Sequence, residues 1–222
     1  MCGIAGILSD GARVTAEQVR VMTDRIRPRG PDSSGEWVGA EGRLGFGHRR
    51  LAIVDLSAAG HQPMRSACGR YTITYNGEIY NHIELRRQLS AGSLAGPDWR
   101  GHSDTETIIE LFRLMQEKML AEMVGMWAII IWDKESKRIF VSRSRFGQKP
   151  LYVRKVNEAW LFASEIKPLL GKHEKPAFDP TAIVEFLALG NYGHLGAHTF
   201  FKDIRQFPQG SYMWFTNETN EV

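Results

Sequence analysis

The stretch from Met126 to Ser164 most constrains the fold. Four apolar segments, "MWAIIIWD" (126–133), "RIFVSR" (138–143), "PLYV" (150–153) and "AWLFAS" (159–164), follow one another with only short polar breaks such as "DKESK" between them. Each is strand-length and rich in β-branched and aromatic residues. No helix-length segment lies between consecutive members. Parallel strands need a crossover of a dozen or more residues, so these strands must pair antiparallel.

The rest of the chain adds strands and a few helices without strict alternation. "GIAGIL" (3–8) predicts a short buried strand, and further strands are expected over about 43–49, 51–54, 71–75 and 211–215. A helix is predicted from about Thr15, where "TAEQ" fits a capping box and Val19, Met22 and Ile26 recur at helical spacing. Others are expected over 78–89, 103–115 and about 180–189. Ser103 is the expected N-cap of the 103–115 helix, with Glu106 closing a second box. "RPRGPDSSG" (27–35) and "AGSLAGPDWRG" (91–101) predict loops. The pattern argues against a doubly wound parallel sheet and for an α+β architecture with antiparallel sheets.

Composition narrows the function. The 222 residues carry a formal net charge of +3, and the densest short basic cluster is "HRR" at 48–50, too small for a nucleic-acid footprint. Two cysteines, Cys2 and Cys68, make neither a disulfide framework nor a metal site, and neither CxxC nor HExxH occurs. No apolar run approaches the ~20 residues needed to cross a bilayer. The N-terminus lacks the pattern of a signal peptide, so a cytoplasmic, soluble protein is expected.

Five places could carry chemistry. Cys2 either packs as a small apolar residue or, once Met1 is removed, attacks as a nucleophile with its own α-amine as base. The reference pKa values, ~7.7–8.0 for the amine and ~8.5 for the thiol, make proton transfer between them inexpensive. By position alone packing is the simpler role. In "YNGEIYNH" (75–82) Asn-Gly is a turn signal. A turn joining strand to helix would let the Asn76 amide and the Gly77 N–H point at one anion. In "GHRRLAIVD" (47–55) Arg50 can hold a carboxylate in two hydrogen bonds, while Arg49 reads as a solvated edge residue. In "GHSDTE" (101–106) Asp104 complements a helix dipole or binds an ammonium group. The loop "RSRFGQKPLY" (143–152) has turn chemistry but no assignable task.

Taken in order, "MCGIAG", "RPRGPD", "HRRLAIVD", "NGEIYNH", "SDTE", "RSRFGQKPLY", "FASEIKPLL" and "FPQGSY" resemble the glutaminase domain of glutamine-dependent asparagine synthetases. These are class II glutamine amidotransferases of the N-terminal nucleophile hydrolase superfamily. The resemblance spans almost the whole chain. It implies a four-layer αββα sandwich with two antiparallel sheets. It implies that Cys2 attacks the side-chain amide of glutamine, that Asn76 and Gly77 stabilise the oxyanion, and that Arg50 and Asp104 hold the α-carboxylate and α-ammonium. Leu51, Ala52, Ile53, Val54 and Glu78 are expected to line the pocket.

The resemblance implies no cofactor and no metal for the glutaminase step. ATP and Mg would serve a C-terminal synthetase domain, whose phosphate-loop motif this chain lacks. The implied partners are L-glutamine and a synthetase domain, linked or separate, with a homodimer as the candidate assembly and neither nucleic acid nor membrane. Residues 1–222 are expected to be one glutaminase domain. Two other outcomes stay open: ammonia delivered to another carboxylate, such as a sugar acid of a surface polysaccharide, or a non-catalytic docking domain. The family loop usually reads Arg-Asp-x-x-Gly, and Ser144 stands in the Asp place, removing a charge on what is expected to be the inter-domain side.

Overall fold

The computed structural model describes residues 1–52, 57–91, 97–171, 174–190 and 196–216. The first half contains β1 (Gly3–Ser9), α1 (Ala16–Asp24), β2 (Ser33–Val38), β3 (Leu44–Arg50), β4 (Met64–Arg65), β5 (Tyr71–Ile79) and α2 (His82–Ala91). Then follow α3 (Asp104–Met115), α4 (Met119–Glu122), β6 (Gly125–Asp133), β7 (Arg138–Arg143), β8 (Tyr152–Val156) and β9 (Ala159–Ala163). Last come α5 (Pro180–Leu189), β10 (Ile204–Gln206) and β11 (Ser211–Thr216).

Two sheets result. One has six strands in the order β10-β8-β9-β1-β3-β2, the other five in the order β11-β7-β6-β5-β4. Every pairing is antiparallel, as the short breaks between strands demanded. The central strands are buried on both faces, which is why they read as continuous apolar runs rather than alternating ones. From β1, Ile4 and Leu8 enter the core between the sheets with Phe46, Ile130, Val141 and Phe162. Ala5 and Ile7 of the same strand face Val19, Met22 and Ile26 of the α1 region. From β6, Ile129 and Ile131 instead pack with Ile108 and Phe112 of α3. The layers are therefore helix, sheet, sheet, helix, the αββα sandwich expected.

Local signals set several boundaries. Thr15 caps α1 with both arms of the capping box formed, and Ser103 caps α3 by accepting from the Glu106 amide. The second box forms only half, because the Glu106 carboxylate accepts instead from the Arg100 and Gly101 amides at 2.9 and 3.1 Å. The helix α1 lies close on β3: a Cβ at Gly47 would stand 1.9 Å from Thr23 Oγ1.

Four expectations need correction. The loop predicted over 27–35 ends at Ser33, where β2 begins as the edge strand beside β3. Asn76 and Gly77 do not form a turn, since β5 runs on to Ile79 and pairs them with Ala128 and Trp127 of β6. The helix expected from 78 accordingly starts at His82. Of the strand expected over 51–54, Leu51 and Ala52 are irregular, while Ile53 and Val54 lie outside the described residues.

Candidate active site

The end of β1, the end of β3, the C-terminal part of β5 and the first turn of α3 meet at one cleft of about 90 Å³. Its lining includes Cys2, Arg50, Leu51, Asn76, Gly77, Glu78 and Asp104. Residues as far apart in sequence as Cys2 and Asp104 are thus gathered as the sequence motifs implied. Ala52 does not line the cleft; its amide donates to Asp32 Oδ2 at 2.8 Å. Ile53 and Val54 are outside the described residues. A larger groove of about 640 Å³, over α1 and β9, contains none of these residues.

Cys2 is held by backbone groups. The Leu51 amide donates to its Sγ at 3.4 Å, and the thiol is 3.5 Å from the Leu51 carbonyl. The Arg29 Nε donates to the Cys2 carbonyl at 3.0 Å, and Arg29 also pairs with Glu165 at 3.3 Å. A chain terminus usually frays, but this one is anchored within two residues of its start. Met1 is part of the cleft wall.

Asn76 is 2% exposed, yet its Nδ2 has no hydrogen-bond partner. Buried polar groups are normally paired. An orphaned amide lining the same cleft as a thiol is therefore a donor waiting for an acceptor. Gly77 follows it in the ladder, where a Cβ would stand 2.3 Å from the Met126 carbonyl oxygen and 2.5 Å from the Tyr75 ring. No larger residue fits beside Asn76 at this register.

Asp104 is fixed by long-range contacts. Its Oδ2 accepts from the Tyr75 hydroxyl at 2.8 Å and from the Ile79 amide at 3.0 Å. Burial pushes the carboxyl up from the ordinary aspartate value, while these two donors pull it down. The same burial, with Asp104 adjacent, drives the Tyr75 phenol well above its usual value, so it stays a donor. Gln62 ties the two elements together, accepting from the Tyr75 amide at 2.7 Å and donating to Thr105 Oγ1 at 3.2 Å. Arg50 donates to the Ser57 carbonyl at 3.0 Å.

Sequence reasoning missed Tyr75, Gln62, Arg29 and Lys149. The first was read only as part of the strand expected over 71–75. The last lay in the loop without an assigned task, and it lines the cleft. Ser144, at the family's Asp place in that loop, is buried and lies within hydrogen-bond distance of Gln148 Oε1 (3.2 Å). Among the described residues no cluster of His, Cys, Asp or Glu is arranged to hold a metal, and no helix is long and apolar enough to cross a membrane.

The chain belongs to the glutamine amidotransferase domain family, whose model matches residues 1–222. Asparagine synthetase (glutamine-hydrolysing) 3 of Bacillus subtilis (strain 168) is 37% identical over 92% of this chain and 34% of its own length. Asparagine synthetase (glutamine-hydrolysing) 2 of the same organism is 34% identical over 100% of this chain and 30% of its own. The chain thus spans about a third of these relatives. A solved structure of the allosteric regulatory enzyme of purine biosynthesis shares the fold, with a TM-score of 0.70 at 19% identity, over 98% of this chain and 47% of that one.

Proposed function

We propose that the chain hydrolyses L-glutamine to glutamate and ammonia, and that the ammonia serves an ATP-dependent amidation, asparagine formation from aspartate, in a larger cytoplasmic enzyme. The observation that carries this reading is the buried, partnerless Asn76 Nδ2 in the cleft that holds the Cys2 thiol.

With Met1 removed, the Cys2 α-amine takes the thiol proton, directly or through a water. The Sγ attacks the side-chain amide carbon, and the carbonyl electrons move onto oxygen. Asn76 Nδ2 and the Gly77 N–H donate to that oxyanion, the type of term worth ~10²–10³ in rate per donor. Arg50 holds the α-carboxylate and Asp104, through the oxygen not taken by Tyr75 and Ile79, the α-ammonium. Collapse of the intermediate breaks the C–N bond and releases ammonia, which leaves with the proton the amine had taken. Water then cleaves the γ-glutamyl thioester. Only the chain's own groups take part in this step; ATP and Mg would act in the synthetase domain.

Glutamate release from glutamine tests the reading. The mature chain should produce glutamate, and Cys2→Ala should abolish it. Equal rates in the two proteins would refute the proposal.

A further inference from the structure

Lys149 is the least comfortable cation in the cleft. It is 7% exposed and shares the lining with Cys2, Asn76 and Glu78. Its Nζ donates to the sulfur of Met1 at 3.4 Å. A thioether is a weak acceptor, and a buried ammonium ordinarily needs a strong one.

The backbone beneath it is pinned. Arg143 donates to the carbonyls of Lys149, Gly147 and Phe207 at 2.9, 2.7 and 2.8 Å. The loop therefore delivers the ammonium to a set place, and its thioether partner belongs to the residue whose removal frees Cys2. The charged and titratable groups around it come from every element of the cleft. Cys2 and Glu78 draw its charge toward them, Arg29 opposes it, and Arg50, Tyr75 and Asp104 complete the lining. Burial pulls the Lys149 ammonium below its ordinary value, while Cys2 and Glu78 pull it back up.

We infer that Lys149 is an electrostatic positioning residue for the nucleophile: in the mature chain its ammonium shares the cleft with the Cys2 sulfur and favours the thiolate. Neighbouring cations act on reactive cysteines in this way. The inference rests on the proposed role of Cys2 as the mature first residue.

The test is the pH dependence of Cys2 alkylation by iodoacetamide, without glutamine. It uses mature protein whose loss of Met1 is confirmed by mass. A Cys68→Ser background removes the exposed second thiol. Lys149→Met should move the midpoint up by about one pH unit and slow alkylation about tenfold near neutrality. Lys149→Arg, which keeps the charge, should leave the midpoint near the parent's. A parental midpoint in Lys149→Met overturns the inference. So does an Arg variant that shifts as far as the Met variant. If Lys149→Met does not fold, Lys149→Gln is held to the same criterion. A shifted midpoint in a protein that does not hydrolyse glutamine would leave Lys149 standing and defeat the glutaminase reading. Full glutamine hydrolysis with an unshifted midpoint would defeat only the role of Lys149.

Discussion

The hydroxyl of Tyr75 and the Oδ2 of Asp104 are 2.8 Å apart, joined across 29 positions of sequence. This bond connects the strand that carries Asn76 to the helix start proposed to read the substrate amine. In Tyr75→Phe the buried carboxylate loses one donor. Hydrogen bonds to charged groups contribute about 1.5–3 kcal/mol, so unfolding in urea should show a loss in that range. The KM for glutamine should rise about tenfold while kcat changes little, because only substrate positioning is affected. A kcat loss without a change in KM would contradict this.

Asp104→Asn should separate function from stability. The folded protein raises this carboxyl, so its ionisation opposes folding. Below the ordinary aspartate value both states are protonated and that cost is absent. It appears as pH rises through the folded-state value. The variant should therefore be more stable than the parent at pH 7, and the gain should shrink toward pH 4. Urea titrations across that range measure it, and glutamine binding should be lost at every pH.

His48 works in the opposite sense. It is buried on β3, its Nε2 3.2 Å from the Tyr75 carbonyl, and burial drives its pKa down to about 3. Below pH 6.5 the unfolded chain takes up a proton that the folded one refuses. Its contribution to stability is thus complete above pH 6.5 and falls with acid at about 1.4 kcal/mol per pH unit. His48→Gln should flatten that acid limb. An unchanged slope would contradict a neutral His48.

At Asn76 the orphaned Nδ2 makes no intramolecular hydrogen bond that truncation would break. Asn76→Ala should lower kcat by about 10²–10³ with only a small change in unfolding free energy. Gly77→Ala should instead disturb the strand itself, since its Cβ meets backbone and a ring within 2.5 Å. Overpacking of this kind costs about 1–3 kcal/mol, which thermal unfolding should report.

The sequence revealed what is local or apolar on both faces. "GIAGIL" and "AIIIW" were legible as buried strands, and the Thr15–Gln18 box is a four-residue signal. The edge strand Ser33–Val38 was not legible, because its polar residues become a strand only through their ladder with β3. The Asn-Gly signal misled for a similar reason: the nine-residue ladder with β6 outweighs a two-residue turn preference. At the site, Cys2, Arg50, Asn76, Gly77 and Asp104 were found through motifs. Tyr75, Gln62 and Lys149 were not, because their meaning lies in contacts such as Gln62–Thr105, which span 43 positions.

The central claim is that Cys2, as the mature first residue, attacks glutamine. Acid-quenched mass spectrometry during turnover tests it most directly, comparing the mature chain with one made to retain Met1. The account predicts a γ-glutamyl adduct on Cys2 in the mature chain only, and glutamate release from that chain only. Undiminished glutamate release from the Met1-retaining chain, or an adduct mapped to any other residue, would contradict it.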